Sequence, residues 1–407
     1  MAATLATITP YLKEVYQGRI REQLNTEIVT LKRITRSSSG VTSETGGKYV
    51  TFPIHTRRNN GIGSRYENEV LPVPGQQNYA AARVGLKYAY GGLQLTGQMI
   101  SLSDTDAKAF AKGLDTEVEG LKNDAAKDMN RQIYADGTGK IAVLKVNTAV
   151  NTLGVDDGRL FQIGENIDIV TLPATVAVSA RIVVSVVLTG GTADTVTISG
   201  AAVTTTAGQI ITRQGSGPGA QGNREITGFG AIVSPTGILY NVDPAVEPAW
   251  AAVQDANSGT LRALSESRMI TMADNIRVNG GKTSVIFQSL GLRRAYFNLL
   301  SQQRQVVNTQ DFKGGFTGLA FTTDMGEIPV IADPDAPLNT QWFINEDALT
   351  YYRDEEWHWF DRDGTMWKQV RDATGDYDAW YARLVEYHEL GTERRNTHGV
   401  IKDLIEG

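Results

Sequence analysis

From Asp104 to Ala135 apolar residues recur at intervals of three and four: Phe110, Leu114, Val118, Leu121, Ala125, Met129 and Ile133 fall on one stripe, and polar residues cover the rest. This spacing predicts one long α-helix. Ser103 is placed to cap its start, Asp104 and Asp106 suit the positive end of the helix dipole, and Gly137 suits its end. At 1.5 Å of rise per residue such a rod is about 45 Å long, and one narrow stripe cannot enclose a core. A sheet laid along it is expected in the segments before and after.

Upstream, Thr9-Pro10 reads as an N-cap followed by proline at the first helical position, and Leu12, Tyr16, Ile20, Leu24, Ile28 and Leu31 continue with helical spacing. The Ser- and Gly-rich stretch from Arg36 to Gly47 is a connector, so this arm either docks away from its own body or folds back on it. Val50, Phe52 and Ile54 then alternate with polar residues, as do Val84, Leu86, Tyr88 and Tyr90. They predict the two strands of a long hairpin, with Pro53 marking an edge strand. The stretch between them, NNGIGSRYENEVLPVPGQQN, is polar and core-poor. Loops of that length are uncommon in compact domains and are usually functional or supported by another chain.

Downstream of the helix the chain from Ile141 to Arg224 is rich in Val, Thr, Ile, Ala and Gly, with Phe161 its one aromatic residue. Short strands are expected in IAVLKVNTAV, GRLFQIGENIDIVTL, ARIVVSVVLT, DTVTISG and GQIITRQG, separated by turn signals at Asp157-Gly158 and Gly190-Gly191. Such a series suggests a small β-barrel or sandwich, read as an inserted domain, with GSGPGAQGN as its exit linker. From Glu225 the pattern becomes mixed: GILYNVDPAVEPAW is turn-rich, TLRALSESRMITMADNI helical, KTSVIFQS a strand and GLRRAYFNLLSQQRQ a helix, which indicates an α/β domain. QWFINEDALTYYRDEEWHWF and WYARLVEYHELG read as aromatic-rich strands, and all six tryptophans lie in this half.

A length of 407 residues with 41% hydrophobic content suits two or three soluble domains with real cores. No apolar run reaches the roughly 18 residues a membrane span needs, and the start lacks the features of a signal peptide. With no cysteine, disulfides and thiolate chemistry are excluded. A net charge of -6 argues against a protein whose main task is gripping phosphate backbones.

Four features invite a chemical reading. Gly217 to Gly222 matches G-x-G-x-x-G, but Pro218 and the polar Asn223-Arg224-Glu225 fit a linker better than a strand-to-helix turn. Asp361-Arg362-Asp363-Gly364-Thr365 resembles a phosphatase motif, yet it comes near the chain's end without an apolar strand opening a fold; a solvated turn fits better. His55, His358, His388 and His398 show no metal-ligand spacing. The acidic run at Asp354, Glu355, Glu356, Asp361 and Asp363 could supply a general acid/base pair but is more often a solvated face or one side of an ion-pair interface. No constellation defines an enzyme, and no cofactor or metal site is expected.

The order of these parts resembles the major capsid proteins of tailed bacteriophages with the Hong Kong 97-type fold. RQIYADGTGKIA, VEPAWAAVQDANSGTLRALSESRM and GLRRAYFNLLSQQRQVV are similar to actinobacteriophage-type capsid sequences. The resemblance covers nearly the whole chain and implies an α+β fold. Its expected parts are an N-terminal arm at 1–45, an extended hairpin loop at 46–92 and a peripheral domain at 93–140 carrying the spine helix 104–135. An inserted small β-barrel domain follows at 141–226, then an axial α/β domain at 227–340 and returning peripheral strands at 341–407. By the same resemblance the chain self-assembles into hexamers and pentamers of an icosahedral virion shell, made in the host cytoplasm and enclosing double-stranded DNA without reading its sequence. The implied partners are other copies, a portal protein and, where the phage uses them, a scaffold, a maturation protease and a decoration protein, with no membrane. An encapsulin-type nanocompartment is the alternative on the same fold; a secreted adhesin is disfavoured by the missing signal peptide.

On this reading Arg57, Arg58, Arg65, Glu67 and Glu69 of the loop are intersubunit contacts, and the arginines are expected to meet Asp354, Glu355 and Glu356 of an adjacent subunit. Some members of the family cross-link this loop through a lysine-asparagine isopeptide bond. Here no lysine lies between Tyr49 and Leu86, and Lys48 and Lys87 sit at the loop base, so a non-covalent shell is expected.

Overall fold

The computed structural model describes residues 27–39, 41, 49–98, 113–189, 193–219, 222–302, 310–311, 317–324, 326–361, 364–372 and 375–407. The N-terminal stripe up to Leu24, the cap Ser103, residues 104–112 of the long helix, and Arg362 and Asp363 lie outside them. The chain divides into two compact units, one holding Glu27, Tyr90–Lys127 and Trp357–Val385, the other Ile28–Ala89, Asp128–Glu356 and Glu386–Gly407.

In the first unit the aromatic strands β18 (His358–Trp359) and β19 (Lys368–Asp372) pair antiparallel with the 18-residue strand β20 (Gly375–Thr392). Strand β4 (Lys87–Thr96) also pairs with β20. The helix α1 (Gly113–Tyr134) runs close to β4, because a Cβ added at Gly91 would come within 3.3 Å of Leu121. The sheet that the helical stripe requires is therefore present.

In the second unit the last turns of α1 depart from the expected stripe. Met129 and Ile133 are buried, as the periodicity predicts, but so are Asn130, Arg131 and Gln132. Each polar group has partners. Arg131 ion-pairs with Asp128 at 2.9 Å and Glu225 at 2.6 Å, while Asn130 donates to Asp335 at 2.7 Å and accepts from the Leu31 amide at 3.0 Å. Burial alone would favour neutral forms; the mutual attraction outweighs it at Arg131, held above its ordinary pKa, and at Asp128, held below, whereas at Glu225 burial prevails and pushes the pKa up. Thr30 completes the polar cluster, its hydroxyl donating to Asp333 at 2.7 Å. With Leu31 and Ile34 buried and β1 (Thr35–Ser37) pairing parallel with β17 (Leu349–Arg353), this part of the N-terminal segment folds back on its own body.

The Val- and Ile-rich stretch forms six strands in the order β5-β10-β7-β8-β9-β6, all antiparallel: β5 (Lys140–Val143), β6 (Thr152–Val155), β7 (Asn166–Thr171), β8 (Thr175–Val187), β9 (Asp194–Ile198) and β10 (Ile210–Arg213). The two end strands meet through a Leu144–Val155 bridge, with backbone hydrogen bonds from Lys145 to Gly154 and from Asp156 to Val143. Leu153, Val155, Ile167, Ile169, Val183, Val196 and Ile211 fill the interior with Phe161. Strand β6 was not expected from the sequence, being four residues long with a glycine inside it.

A seven-stranded mixed sheet follows the order β11-β21-β16-β12-β15-β14-β13. Its strands are β11 (Val253–Asp255), β12 (Val285–Gln288), β13 (Gln310–Asp311), β14 (Thr317–Thr323), β15 (Gly326–Ala332), β16 (Gln341–Ile344) and β21 (Gly399–Ile401). Besides the four-residue helix α2 (Phe229–Ile232), this part of the chain carries α3 (Glu266–Val278) and α4 (Leu290–Gln302). The core joins Met269, Met272 and Ile276 of α3 and Leu292 and Tyr296 of α4 to Ile286, Phe343 and Ile401 of the sheet. Helix α3 begins where Ser265 accepts from the Arg268 amide, later than the periodicity alone suggests. Strands β16 and β21, expected among the returning peripheral strands, pair into this sheet.

Candidate assembly surface

The hairpin is built from β2 (Tyr49–Arg57) and β3 (Asn78–Gly85), paired antiparallel with Val50 opposite Val84 and Pro53 opposite Ala81. The return strand thus starts earlier than the alternation suggested, and Tyr88 and Tyr90 lie not in the hairpin but in β4. A two-stranded hairpin is at best marginally stable in water by itself. Its base is held by a cluster of Val41, Val50, Val84, Leu86 and Tyr352, against which Phe52, Tyr240 and Tyr387 pack.

Beyond Arg57 the chain makes a loop that carries no regular strand yet is tied to itself. Its neck is closed by Asn59, whose side chain accepts from the Gly61 amide at 2.7 Å and donates to the Gly75 carbonyl at 2.9 Å. Both glycines are required by contact: a Cβ at Gly61 would lie 2.7 Å from the Gly75 nitrogen, and one at Gly75 would lie 2.5 Å from the Asn59 oxygen. At the tip Arg65 donates to the carbonyls of Ser64 and Val70, and Glu69 accepts from the Tyr66 amide at 3.0 Å. This frame displays Ile62, Tyr66, Val70, Leu71 and Val73, each 78–88% exposed. Large apolar side chains concentrated on one projection mark a surface made to be covered.

The charged residues singled out from the sequence divide into four groups. Arg57 is engaged within its own chain, donating to Glu247 at 3.2 Å and to the Val246 carbonyl at 2.8 Å. Arg65 and Glu69 organise the tip. Arg58 and Glu67 are exposed, and Arg58 makes no hydrogen bond or ion pair among the described residues. Asp354, Glu355 and Glu356 lie exposed between β17 and β18, with Glu356 paired to Arg353 at 2.7 Å. In the first unit the aromatic strands are only partly covered: Trp357, Trp359, Trp367 and Trp380 are all half-buried, with the rings of Trp359 and Trp367 6.5 Å apart. The ties from Glu247 were invisible in the sequence, because that residue lies in a turn-rich stretch far along the chain.

The motifs weighed for chemistry do not assemble. Gly219 and Gly222 exchange both backbone hydrogen bonds, and the next helix among the described residues begins only at Phe229. The histidines stay apart: His55 contacts Gln77, His358 is exposed, His388 stacks on Tyr351, and His398 is buried between Thr392 and the Asn345 amide. Among the described residues no three His, Asp or Glu side chains converge as metal ligands, and no helix is long and apolar enough to cross a membrane. The buried titratable groups act as struts. Burial pushes the His398 pKa down to about 3 and that of Arg395 down to about 10, the latter guanidinium being held by the carbonyls of Ala231, Ile232, Thr236 and Gly237. Burial also pushes Glu389 up to about 8, although its carboxylate accepts from the Thr227 amide at 2.6 Å and the Leu390 amide at 3.1 Å.

A back-folded N-terminal segment, a projecting hairpin, a long helix beside a sheet and a mixed α/β core match the Hong Kong 97-type fold of bacteriophage capsids. The chain belongs to the SU10 major capsid protein family, whose model matches residues 31–404. Among solved structures it is similar to the capsid asymmetric unit of cyanophage A-1(L), at 15% identity and a TM-score of 0.61 over 99% of both chains. Mycobacterium phage Bobi is similar at 9% identity and 0.49 over all of both chains. The SrpI encapsulin of Synechococcus elongatus is similar at 6% and 0.45, over 99% of this chain and 96% of that one. No curated protein matches the sequence.

Proposed function

We propose that copies of this coat protein close into an icosahedral shell of hexamers and pentamers around double-stranded DNA, with the hairpin loop of each copy laid on its neighbour. The observation that carries this reading is the loop itself: internally tied, anchored at its base, and presenting five apolar side chains that stay exposed among the described residues. Obligate assemblies bury roughly 2,000–5,000 Å² per interface, and projections lying on neighbours supply such area. The acidic balance keeps the inner wall from gripping DNA that must later leave. Within this reading residues 141–226 are an inserted small barrel domain. A portal protein is the expected further partner, with scaffold, protease and decoration proteins as the phage requires, and the mature location is the virion. Sedimentation and electron microscopy of the purified protein test the proposal: capsomers or shells are expected, and a compact monomer at every practical concentration refutes it.

Arg58 is the loop cation free to reach an adjacent copy, and the exposed Asp354–Glu356 run is the proposed acceptor. Exposed pairs contribute only about 0–1 kcal/mol each, but a shell repeats them many times. Arg58→Glu should lower assembly yield and leave subunit melting unchanged. Wild-type yield would remove this contact from the proposal.

A further inference from the structure

We infer that Glu247 is a positioning residue for assembly: with the turn at Tyr240-Asn241 it forms a brace that fixes the angle at which the hairpin leaves its base. The inference rests on the reading that the hairpin meets a neighbouring copy. The inner support is the turn, where Leu239 and Val242 exchange both backbone hydrogen bonds around Tyr240 at φ 52° and Asn241 at φ 67°. Both central residues are left-handed, the geometry of a type I′ turn. Asparagine tolerates that region, but a bulky tyrosine does not, and it persists there only where its surroundings over-determine it. They do so here. The Tyr240 ring packs in the hairpin-base cluster, its hydroxyl donates to the Leu390 carbonyl at 2.6 Å, and its carbonyl accepts from the Arg83 amide of β3 at 2.9 Å.

The outer support is a polar knot at the far end of the strands. Glu247 accepts from Arg57 Nε at 3.2 Å and from Asn78 Nδ2 at 3.1 Å, and Asn78 also donates to the hydroxyl of the buried Thr56 at 3.1 Å. Glu247 is itself well seated, being 12% exposed and directly preceding the short helix Pro248–Trp250, whose Trp250 is buried. A hairpin held only at its base pivots there. From Phe52, the last cluster contact on β2, to Thr56 is four residues, or about 13 Å of strand, so a second tie at that distance removes the pivot. The apolar tip then arrives at one place rather than a range of places, which is what a closed shell of identical contacts requires.

The test compares wild type with Glu247→Ala and with the charge-exchanged pair Arg57→Glu, Glu247→Arg. Hydrogen exchange on unassembled subunits reads the brace directly. In Glu247→Ala the amides of Phe52, of residues 54–57 and of residues 78–82 should exchange roughly tenfold faster, with those of α3 and β12 unchanged. Electron microscopy of the assembled protein reads the consequence: mixed or malformed particles for Glu247→Ala, and uniform ones again for the exchanged pair. Unchanged hairpin exchange overturns the brace, and faster exchange with wild-type particles overturns its role in assembly. A third variant, with residues 62–73 replaced by Gly-Gly, separates the two readings. If it assembles normally, the hairpin is not the assembly element, and the exchange result alone decides whether Glu247 holds it.

Discussion

Replacing Glu389 by glutamine should remove the loss of stability that the burial of this carboxyl predicts as the pH rises. Glu389 sits in β20 with 1% of its surface exposed. Burial pushes its pKa up to about 8, against the pull of the Lys87 ammonium and the Thr227 and Leu390 amides. The unfolded chain releases this proton near 4.5 and the folded chain keeps it, so the associated stability is fully present below 4.5 and is lost as pH rises through 8. At 1.36 kcal/mol for each pH unit between those values, the loss is on the order of 4–5 kcal/mol. His398 acts in the opposite direction: its pKa is pushed down to about 3 from 6.5, so its stability is lost as pH falls below 6.5. The slopes of these two groups have opposite signs between 4.5 and 6.5 and offset there. The glutamine of the Glu389→Gln variant would keep one oxygen for the two backbone amides and turn its nitrogen toward the Thr227 hydroxyl, without a charge to bury. Denaturant unfolding of both proteins in the same assembly state, from pH 4 to 9, should show near-identical stability at the acid end. At pH 9 the variant should be more stable by several kcal/mol. Parallel curves across that range would refute the reasoning.

Two further outcomes follow from the buried network and the loop. Arg131→Gln leaves Glu225 buried without the cation it pairs with, while Asp128 keeps Arg213 at 2.7 Å, and should destabilise the subunit by about 3 kcal/mol in chemical denaturation; a loss below about 1 kcal/mol would show that the Arg131–Glu225 pair is not a strut. Boiled, denatured mature particles should run as a single band near 44 kDa, because the loop has no lysine and Lys87 is tied to the Asn223 carbonyl at 2.6 Å; a ladder of multimers would overturn the non-covalent reading.

Apolar periodicity located the long helix, α3, α4 and most strands of the six-stranded sheet, because each buries a face whose spacing is written locally. It misplaced the hairpin's return strand for an equally local reason. Alternation continues through Gly85-Leu86-Lys87 while the hydrogen-bonding partner changes from β2 to β20, and a side-chain pattern does not record which strand lies alongside. The burial of Asn130 and Arg131 was unreadable because their partners, Asp335 and Glu225, lie far along the chain. The same applies to the candidate surface. The loop's length and poor core announced a projection, but the internal ties that make it a shaped one, and the Glu247 contact that occupies Arg57, depend on residues brought together only by the fold.

Strand β21 carries a consequence for the order in which the molecule can be made. Residues 399–401 lie between β11 and β16, pairing parallel with the first and antiparallel with the second, and Arg262 bridges to Leu404 alongside. A chain emerging from the ribosome therefore holds β11 in waiting while nearly 150 residues pass, and its seven-stranded sheet stays open until 399–401 arrive. Subunits cut short by interrupted synthesis lack the piece that closes their own core. The fold thus withholds a finished building block until translation has passed that point, and a lattice that admits only finished blocks excludes the fragments.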